Sequence, residues 1–296
     1  MSYEFWIILT GVLVGVTCGT IGCLLIIRKM AMLSDGISHT VLLGIVLAYL
    51  ISDSLSSVYM LIGALIVGML TSVFVQYFSN RGIHTDASIG IVFTSLFALG
   101  VFLVSVFANQ VHLDIDHVLM GEITFVPWNT FTLLGMDLGP QAVWMLGFVL
   151  IVNTLTIIYY YQPIKISSFD PTLATALGIN VIFIHYLLMG MLSLSIVASF
   201  ESVGSILVVT MLIVPGATAY LITRRLSSMM LMSALIGGIS AILGYYIAYL
   251  FDVSIAGSMS SALGLIFIIV FATKLLTQKY TRYAYKKFAL NKNQPN

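Results

Sequence analysis

Charged side chains are scarce in this chain, and their scarcity limits the class of protein it can be. Only 8% of its 296 residues are Asp, Glu, Lys or Arg, whereas 60% are hydrophobic. About 20 apolar residues cross the hydrocarbon core of a bilayer, and the chain contains many runs of that length. The composition therefore excludes an ordinary soluble domain and indicates a polytopic membrane protein.

Three other features are missing or rare. No Gly-x-x-x-x-Gly-Lys-Ser/Thr phosphate loop occurs, so ATP hydrolysis of that type would need a partner protein. The opening residues carry no basic segment and no small-residue cleavage site, so no removable signal peptide is expected. The two cysteines, Cys18 and Cys23, lie in an apolar run about 140° apart on a helix. They are interpreted as buried thiols, with a soft-metal pair as the alternative.

The apolar runs predict an all-α transmembrane bundle of about nine spans in a single domain, residues 1–296. The segment 109–140 is irregular and could hide a re-entrant element, so eight spans plus a surface helix is the alternative. The predicted spans are residues 5–27, 36–52, 57–78, 88–108, 141–161, 180–199, 203–222, 229–251 and 258–277.

Positive charge is absent from one side of this arrangement. All twelve Lys and Arg residues fall on the other side, in its loops, in the tail or, for Lys274, in the last turn of the ninth span, and the positive-inside rule assigns this side to the cytoplasm. The N-terminus is therefore expected outside and the C-terminus inside. The basic residues are Arg28, Lys29, Arg81, Lys165, Arg224, Arg225, Lys274, Lys279, Arg282, Lys286, Lys287 and Lys292.

The tail and the glycines have simple interpretations. Residues 279–296 form a basic, aromatic cytoplasmic tail, which is expected to anchor to anionic lipid rather than to bind nucleic acid. Small residues recur every four positions at Gly11, Gly15 and Gly19, and again around Gly237 and Gly244. Such stripes allow close helix packing, either within one subunit or between two.

The first segment with chemical potential begins the second span. Asp35 and His39 lie four residues apart, so both side chains share one face of a helix. An ionisable pair in an apolar helix is costly unless it faces a cavity or a partner. A carboxylate and an imidazole can share a divalent cation, but two ligands do not complete a site. The alternative is an internal Asp–His hydrogen bond near the inner interface.

The second segment, 167–178, lies on the cytoplasmic side. Asp170 is a good N-cap, Pro171 fits the first turn and Gly178 fits the stop, so a two-turn helix is predicted over 171–177. A helix this short needs outside contacts to be stable. A surface helix lying on the lipid headgroups is the alternative.

The third segment runs from Glu201 to Ala219. Pro215 and Gly216 are expected to break a span near its inner half, which would free backbone carbonyls for neighbours or a water-lined path. A simple kink is the alternative.

In this order, the three segments resemble the ABC-3 family of metal-ion permeases over residues 5–278. Residues 199–204 and 215–220 resemble the manganese branch of Gram-positive bacteria in particular. Thr40 and Leu43 stand where the family usually has Ala and Pro, which predicts a less kinked helix. The matching residues are Ser34-Asp-Gly-Ile-Ser-His39 with Gly44, Phe169 and Asp170 with Ala174 and Gly178, and Val203, Gly204, Leu207, Val208 and Pro215 with Ala217-Thr-Ala219.

The resemblance implies a membrane permease of an ATP-driven importer in the bacterial plasma membrane, without enzymatic activity of its own. It implies a second permease subunit, identical or related, an extracellular metal-binding receptor and a separate ATPase subunit. The positions of the family's metal ligands correspond to Asp35 and His39, which the resemblance places deep in the ion path through the membrane. Its ATPase-coupling segment carries over to Phe169, Asp170, Leu173, Ala174, Leu177 and Gly178. No permanent cofactor is implied; manganese is the expected cargo, with zinc or iron as alternatives.

The outer loop around 111–123 contains two histidines and several carboxylates. An extended strand would place His112, Asp114 and Asp116 on one face but not His117, so receptor docking is favoured over a tight metal site. The expected entrance and docking residues are Asp114, Asp116, His117 and Glu122.

Two other classes of function remain open. A secondary metal transporter would also need ionisable groups in its spans, although no inverted repeat of interrupted spans is found. A membrane scaffold would need no intramembrane Asp–His pair. Carboxylate and imidazole ligands accept manganese, zinc and iron alike, so the ligands alone do not identify the metal.

Overall fold

The computed structural model describes residues 3–52, 57–107, 123–133 and 136–292. Ten α-helices make up most of this part of the chain, as the predicted all-α bundle requires. Their bounds are α1 Tyr3–Ile27, α2 Met32–Ser52, α3 Ser57–Asn80, α4 Thr85–Phe107, α5 Gln141–Tyr159, α6 Tyr161–Phe169, α7 Pro171–Ala176, α8 Val181–Ile222, α9 Leu226–Phe251 and α10 Ile255–Lys292.

The 3-10 helix and the β-strands of the described ranges all lie in one link between helices. A short 3-10 helix, Ile123–Trp128, precedes an antiparallel hairpin of β1 Thr130–Leu133 and β2 Met136–Pro140. Thr130 pairs with Pro140 and Thr132 with Asp137, with an irregularity between the two pairs. The hairpin was not predicted, although the segment was expected to be irregular.

The first helix lies at the centre of the bundle because its glycines let neighbours approach closely. A Cβ on Gly15 would lie 2.6 Å from the carbonyl carbon of Gly237 on α9. One turn away, the Ser233 hydroxyl donates a hydrogen bond to the Gly19 carbonyl oxygen at 2.8 Å. The two small-residue stripes therefore meet each other, which confirms packing within one subunit.

The longest helix, α8, has 42 residues and is interrupted at Gly204, whose φ of 78° and ψ of 168° are not helical. The Ser199 hydroxyl lies 3.5 Å from the Cys18 sulfur, and Leu212 packs against Gly22. Thirteen residues of straight helix cover about 20 Å, but Cys18 and Gly22 are about 6 Å apart along α1. The chain therefore doubles back at Gly204, which only glycine does without strain.

Both arms of α8 lead to the same end of the bundle. On the first arm, His185 lines a cavity together with Arg28; on the second, Gly216 packs against Cys23. Glu201, near the turn, lines a different cavity with Asp252. Eight described helices are long and apolar enough to cross a membrane, and the sixth of these contains both arms. The two arms correspond to the predicted spans 180–199 and 203–222.

The interruption predicted at Pro215 and Gly216 is wrong in position. Both residues lie inside the helical second arm, and Gly204 is the residue in α8 with non-helical angles. Proline keeps a φ near −65°, which a helix tolerates at the cost of one hydrogen bond, whereas reversal needs the positive φ of glycine. Pro215 and Gly216 are instead buried against α1, where a Cβ on Gly216 would lie 3.1 Å from the Cys23 nitrogen.

Candidate metal path and coupling segment

Asp35 and His39 form a pair on the first two turns of α2. The Oδ1 atom of Asp35 lies 3.5 Å from the Nε2 atom of His39, and their side chains are 34% and 35% exposed. This distance is long for a hydrogen bond. Two ligands of one ion are about 3 to 3.5 Å apart when each metal–ligand bond is about 2.0–2.2 Å. The pair can therefore share a divalent cation with little movement.

Buried hydroxyl groups lie on the part of α2 that faces the bundle, and one of them links α2 to α3. Ser38 donates to the Ser34 carbonyl oxygen, and Thr71 of α3 donates to the Thr40 hydroxyl at 3.0 Å. Thr40 in turn donates to the Ile37 carbonyl oxygen. With Thr40 and Leu43 in place, α2 runs unbroken from Met32 to Ser52, as expected from the departure from the family pattern. These bonds leave Asp35 and His39 on the partly exposed face.

Two aromatic rings from α4 contact the histidine. The imidazole of His39 lies 5.7 Å from the Phe93 ring and 5.6 Å from the Phe97 ring, measured between centroids. They restrict how the imidazole can turn. Sequence analysis missed both residues, although their spacing of four on an apolar helix was the available signal.

The pair lies near the start of α2, close to the connection that follows α1. Asp35 is in the first turn of α2, about 5 Å along the helix, and His39 is about 10 Å along it. Arg28 and Lys29 are close by in the preceding turn. The depth of the pair in the membrane stays a prediction.

Within the described ranges, no cluster of three or more His, Cys, Asp or Glu side chains could hold a metal ion. The two cysteines are free and buried, and Cys18 contacts a serine hydroxyl on α8. The described part of one chain therefore supplies two ligands at the candidate site, Asp35 and His39.

The short helix predicted at 171–177 is present as α7. Asp170 caps it by accepting a hydrogen bond from the Leu173 N–H at 3.0 Å, and Gly178 follows with a φ of 78°. The Thr172 hydroxyl and the Leu173 N–H both donate to the Asp170 carboxylate, which lowers its pKa below the usual range. The cap is therefore charged and intact near neutral pH.

Three large apolar side chains of this segment, Phe169, Leu173 and Leu177, recur every four residues but do not lie on one continuous helix. Phe169 ends α6, Asp170 is extended and Leu177 caps α7, so the four-residue spacing spans a break. Phe169, Leu173 and Leu177 are nevertheless 62%, 49% and 60% exposed. Ala174 is fully buried on the other side. Three large apolar side chains are thus available to a partner beyond this chain.

The outer docking residues, Asp114, Asp116, His117 and Glu122, lie outside the described residues. A cavity of about 910 Å³ opens near the turn of α8 and is lined in part by Glu201, Asp252 and Tyr249. Two carboxylates therefore contribute to its wall. The predicted docking role stays a prediction.

The helical bundle, with eight described helices long and apolar enough to span a bilayer, is that of a multi-pass membrane protein. The family model described as "ABC 3 transport family" matches residues 2–274. The chain belongs to this family, and it is a multi-pass protein of the bacterial plasma membrane.

Named relatives and one solved structure support this assignment. The chain is 56% identical over 283 residues to the manganese transport system membrane protein MntD of Bacillus subtilis, covering 94% of this chain and 96% of that protein. It is 39% identical to the zinc transport system membrane protein TroD of Treponema pallidum, covering 90% and 72%. The solved structure of PsaBC from Streptococcus pneumoniae in complex with Fab aligns with a TM-score of 0.76 and 33% identity, covering 92% of this chain and 91% of that one.

Proposed function

We propose that this chain is the membrane permease of an ATP-binding-cassette importer for divalent transition-metal ions, with manganese as its cargo. The 56% identity to a manganese transport membrane protein supports manganese. The 39% identity to a zinc transport protein keeps zinc as the alternative, with iron acceptable to the same ligands. Intrinsic affinity favours zinc over manganese, so selectivity must come from geometry and from metal delivery.

The exposed Asp35–His39 pair is the observation that carries this proposal. An ionisable pair on the partly exposed face of a membrane helix is costly against lipid, so this face of α2 must meet a partner or an aqueous path. Two such chains related by a twofold axis would present four ligands, two carboxylates and two imidazoles, to one ion. An identical or related second permease subunit is therefore part of the proposal.

The proposal assigns the energy source to a separate ATPase subunit. The exposed side chains Phe169, Leu173 and Leu177 suit an apolar groove on that subunit, with α7 as the element that transmits its movement. Residues 167–178 are then the coupling segment. On the opposite side of the membrane, an extracellular receptor delivers the metal ion. The carboxylates of the outer loop, Asp114, Asp116 and Glu122, attract this receptor through their negative charge.

Metal uptake by substituted chains tests the proposal. In cells deleted for the native gene, Asp35→Asn and His39→Ala should each abolish manganese accumulation from limiting medium, measured by elemental analysis. Asp86→Asn is the matched control, because Asp86 lies in the first turn of the neighbouring helix α4 and is exposed. Membrane levels of all three proteins should match the unsubstituted chain.

Two results would contradict the proposal. Near-normal uptake by both Asp35→Asn and His39→Ala would leave the pair as a structural contact. Uptake that persists in cells lacking the ATPase would favour a secondary transporter.

A further inference from the structure

A second cavity lies at the cytoplasmic end of the bundle, next to the coupling segment. It has a volume of about 490 Å³ and is enclosed by the ends of α1 and α3, the last turn of α6 and the first turns of α8. Its polar lining comes from Arg28, Lys29, Gln76, Asn80, Ser167, Ser168, His185 and Tyr186. No Asp or Glu is among its described lining residues.

The guanidinium of Arg28 is held against α6 by neutral groups. Its Nε donates to the Ser168 hydroxyl at 3.0 Å, and Nη2 donates to the Ser167 hydroxyl at 2.9 Å. Burial lowers the pKa of Arg28 to about 10. A guanidinium has five N–H donors, so these two bonds leave capacity for a further acceptor. A partly buried cation is stabilised most by an anion.

Lys29 adds a second positive charge to the cavity, and His185 adds a polar nitrogen without a partner. Lys29 has a φ of 58°, a left-handed conformation that is uncommon for lysine and turns the chain between α1 and α2. The Nε2 atom of His185 is buried and has no hydrogen-bond partner. The cavity thus joins two permanent charges to an imidazole nitrogen that lacks a partner.

The remaining wall of the cavity is apolar. Ile27, Met30, Val181 and Ile182 contribute to it, and Ile182 is 70% exposed. These residues lie where α1 ends and α8 begins, so the cavity is at the depth of the inner headgroup region. Basic pockets between membrane helices on the cytoplasmic side suit the phosphate of an anionic lipid, and the apolar wall suits the start of its chains.

We propose that this cavity binds the phosphate headgroup of an anionic phospholipid from the inner leaflet, with Arg28 and Lys29 as its cationic ligands. The lipid phosphate would join the end of α1 to Ser167 and Ser168, the first two residues of the coupling segment. A lipid bound there would stabilise the coupling segment from the membrane side. The side chains of Phe169, Leu173 and Leu177 would remain available to the ATPase. The binding itself does not depend on which ion the protein transports.

Lipid retention and thermal stability of the full-length purified chain test this site. Native mass spectrometry in mild detergent should show phosphatidylglycerol retained in preference to phosphatidylcholine. Lys29→Asn should weaken phosphatidylglycerol binding about fivefold, the equivalent of about 1 kcal/mol per basic residue near a lipid surface. Arg28→Gln should weaken phosphatidylglycerol binding about tenfold or more, because a guanidinium is less hydrated than the lysine ammonium and can bond a phosphate through two N–H groups.

Arg81→Gln is the matched control. Arg81 also lies at the inner end of the bundle, but it stacks on the Tyr77 ring and does not line the cavity. Its substitution should leave lipid retention unchanged. Asparagine tolerates a positive φ, so Lys29→Asn decides the question if Arg28→Gln does not fold.

Three outcomes would overturn the proposal. The first is unchanged phosphatidylglycerol retention in Lys29→Asn and Arg28→Gln. The second is equal stabilisation by inorganic phosphate, which would mean a site for a free anion. The third is loss of ATPase association in Arg28→Gln with normal lipid retention, which would mean that an ATPase carboxylate occupies the cavity.

Discussion

Truncating the exposed apolar side chains of the coupling segment should separate ATPase association from folding. The side chains of Phe169 and Leu173 are 62% and 49% exposed in the isolated chain, so much of their apolar surface remains available to a partner. Their replacement by alanine should therefore affect the fold little. The effect should appear where a partner buries that surface.

The expected magnitude follows from the behaviour of buried interface anchors. Truncation of one such anchor costs about 2 kcal/mol or more, which weakens association about 30-fold. Phe169→Ala with Leu173→Ala should then release most of the ATPase from detergent-solubilised complexes. Any ATPase that stays bound should hydrolyse ATP without driving manganese uptake.

Co-purification on a tagged permease, followed by uptake in cells, measures both effects. Thr175→Ala is the matched control, because Thr175 lies on another face of α7 and its hydroxyl donates to the Pro171 carbonyl oxygen. Normal ATPase association and normal metal uptake in the double variant would refute the coupling role. The secondary-transporter alternative would then become the better hypothesis.

Three further predictions concern the path, the outer face and the packing. Phe93→Leu should lower manganese uptake about twofold to tenfold, because it removes an aromatic contact with His39. Phe93→Tyr should restore uptake. Phe102→Leu is the control and should have no effect, since the Phe102 side chain is 60% exposed. Asp114→Ala combined with Asp116→Ala should weaken receptor binding most at low salt, and lost uptake with unchanged receptor affinity would instead favour a metal site. Gly15→Ala should destabilise the bundle by about 1–3 kcal/mol in thermal unfolding, because the new Cβ would lie 2.6 Å from Gly237. Gly147→Ala is the control and should leave the stability unchanged, because its Cβ would have no atom within 4 Å.

Hydropathy and capping chemistry predicted the local structure well because both act over short stretches of chain. The predicted start of the fifth span, residue 141, is where α5 begins. Asp170, Pro171 and Gly178 each occupy the cap position that their chemistry favours. The helix α6, Tyr161–Phe169, was missed because its mixed composition resembles a loop.

Features that depend on contacts between distant segments could not be predicted in the same way. The predicted spans 180–199 and 203–222 separated the two arms of α8 without naming the residue at the turn, and a break was expected at Pro215, because proline is the strongest helix breaker in sequence. The reversal instead uses the φ of Gly204. The contacts of His39 with Phe93, and of Arg28 with Ser167, require the relative placement of separate helices. The spacing of residues along the chain carries no such information.

Two ligand pairs, one on each chain, would also explain how the coupling segments could control binding of the ion. The described part of one chain supplies only Asp35 and His39, so on this proposal four-ligand binding exists only while two chains hold their α2 faces together. The affinity for the ion then depends on the distance between chains more than on either chain alone. A rigid-body movement applied at the coupling segment would draw the two pairs apart and weaken binding. The site itself would need no internal rearrangement, because Asp35 and His39 lie on one unbroken helix, α2, and would move together with it.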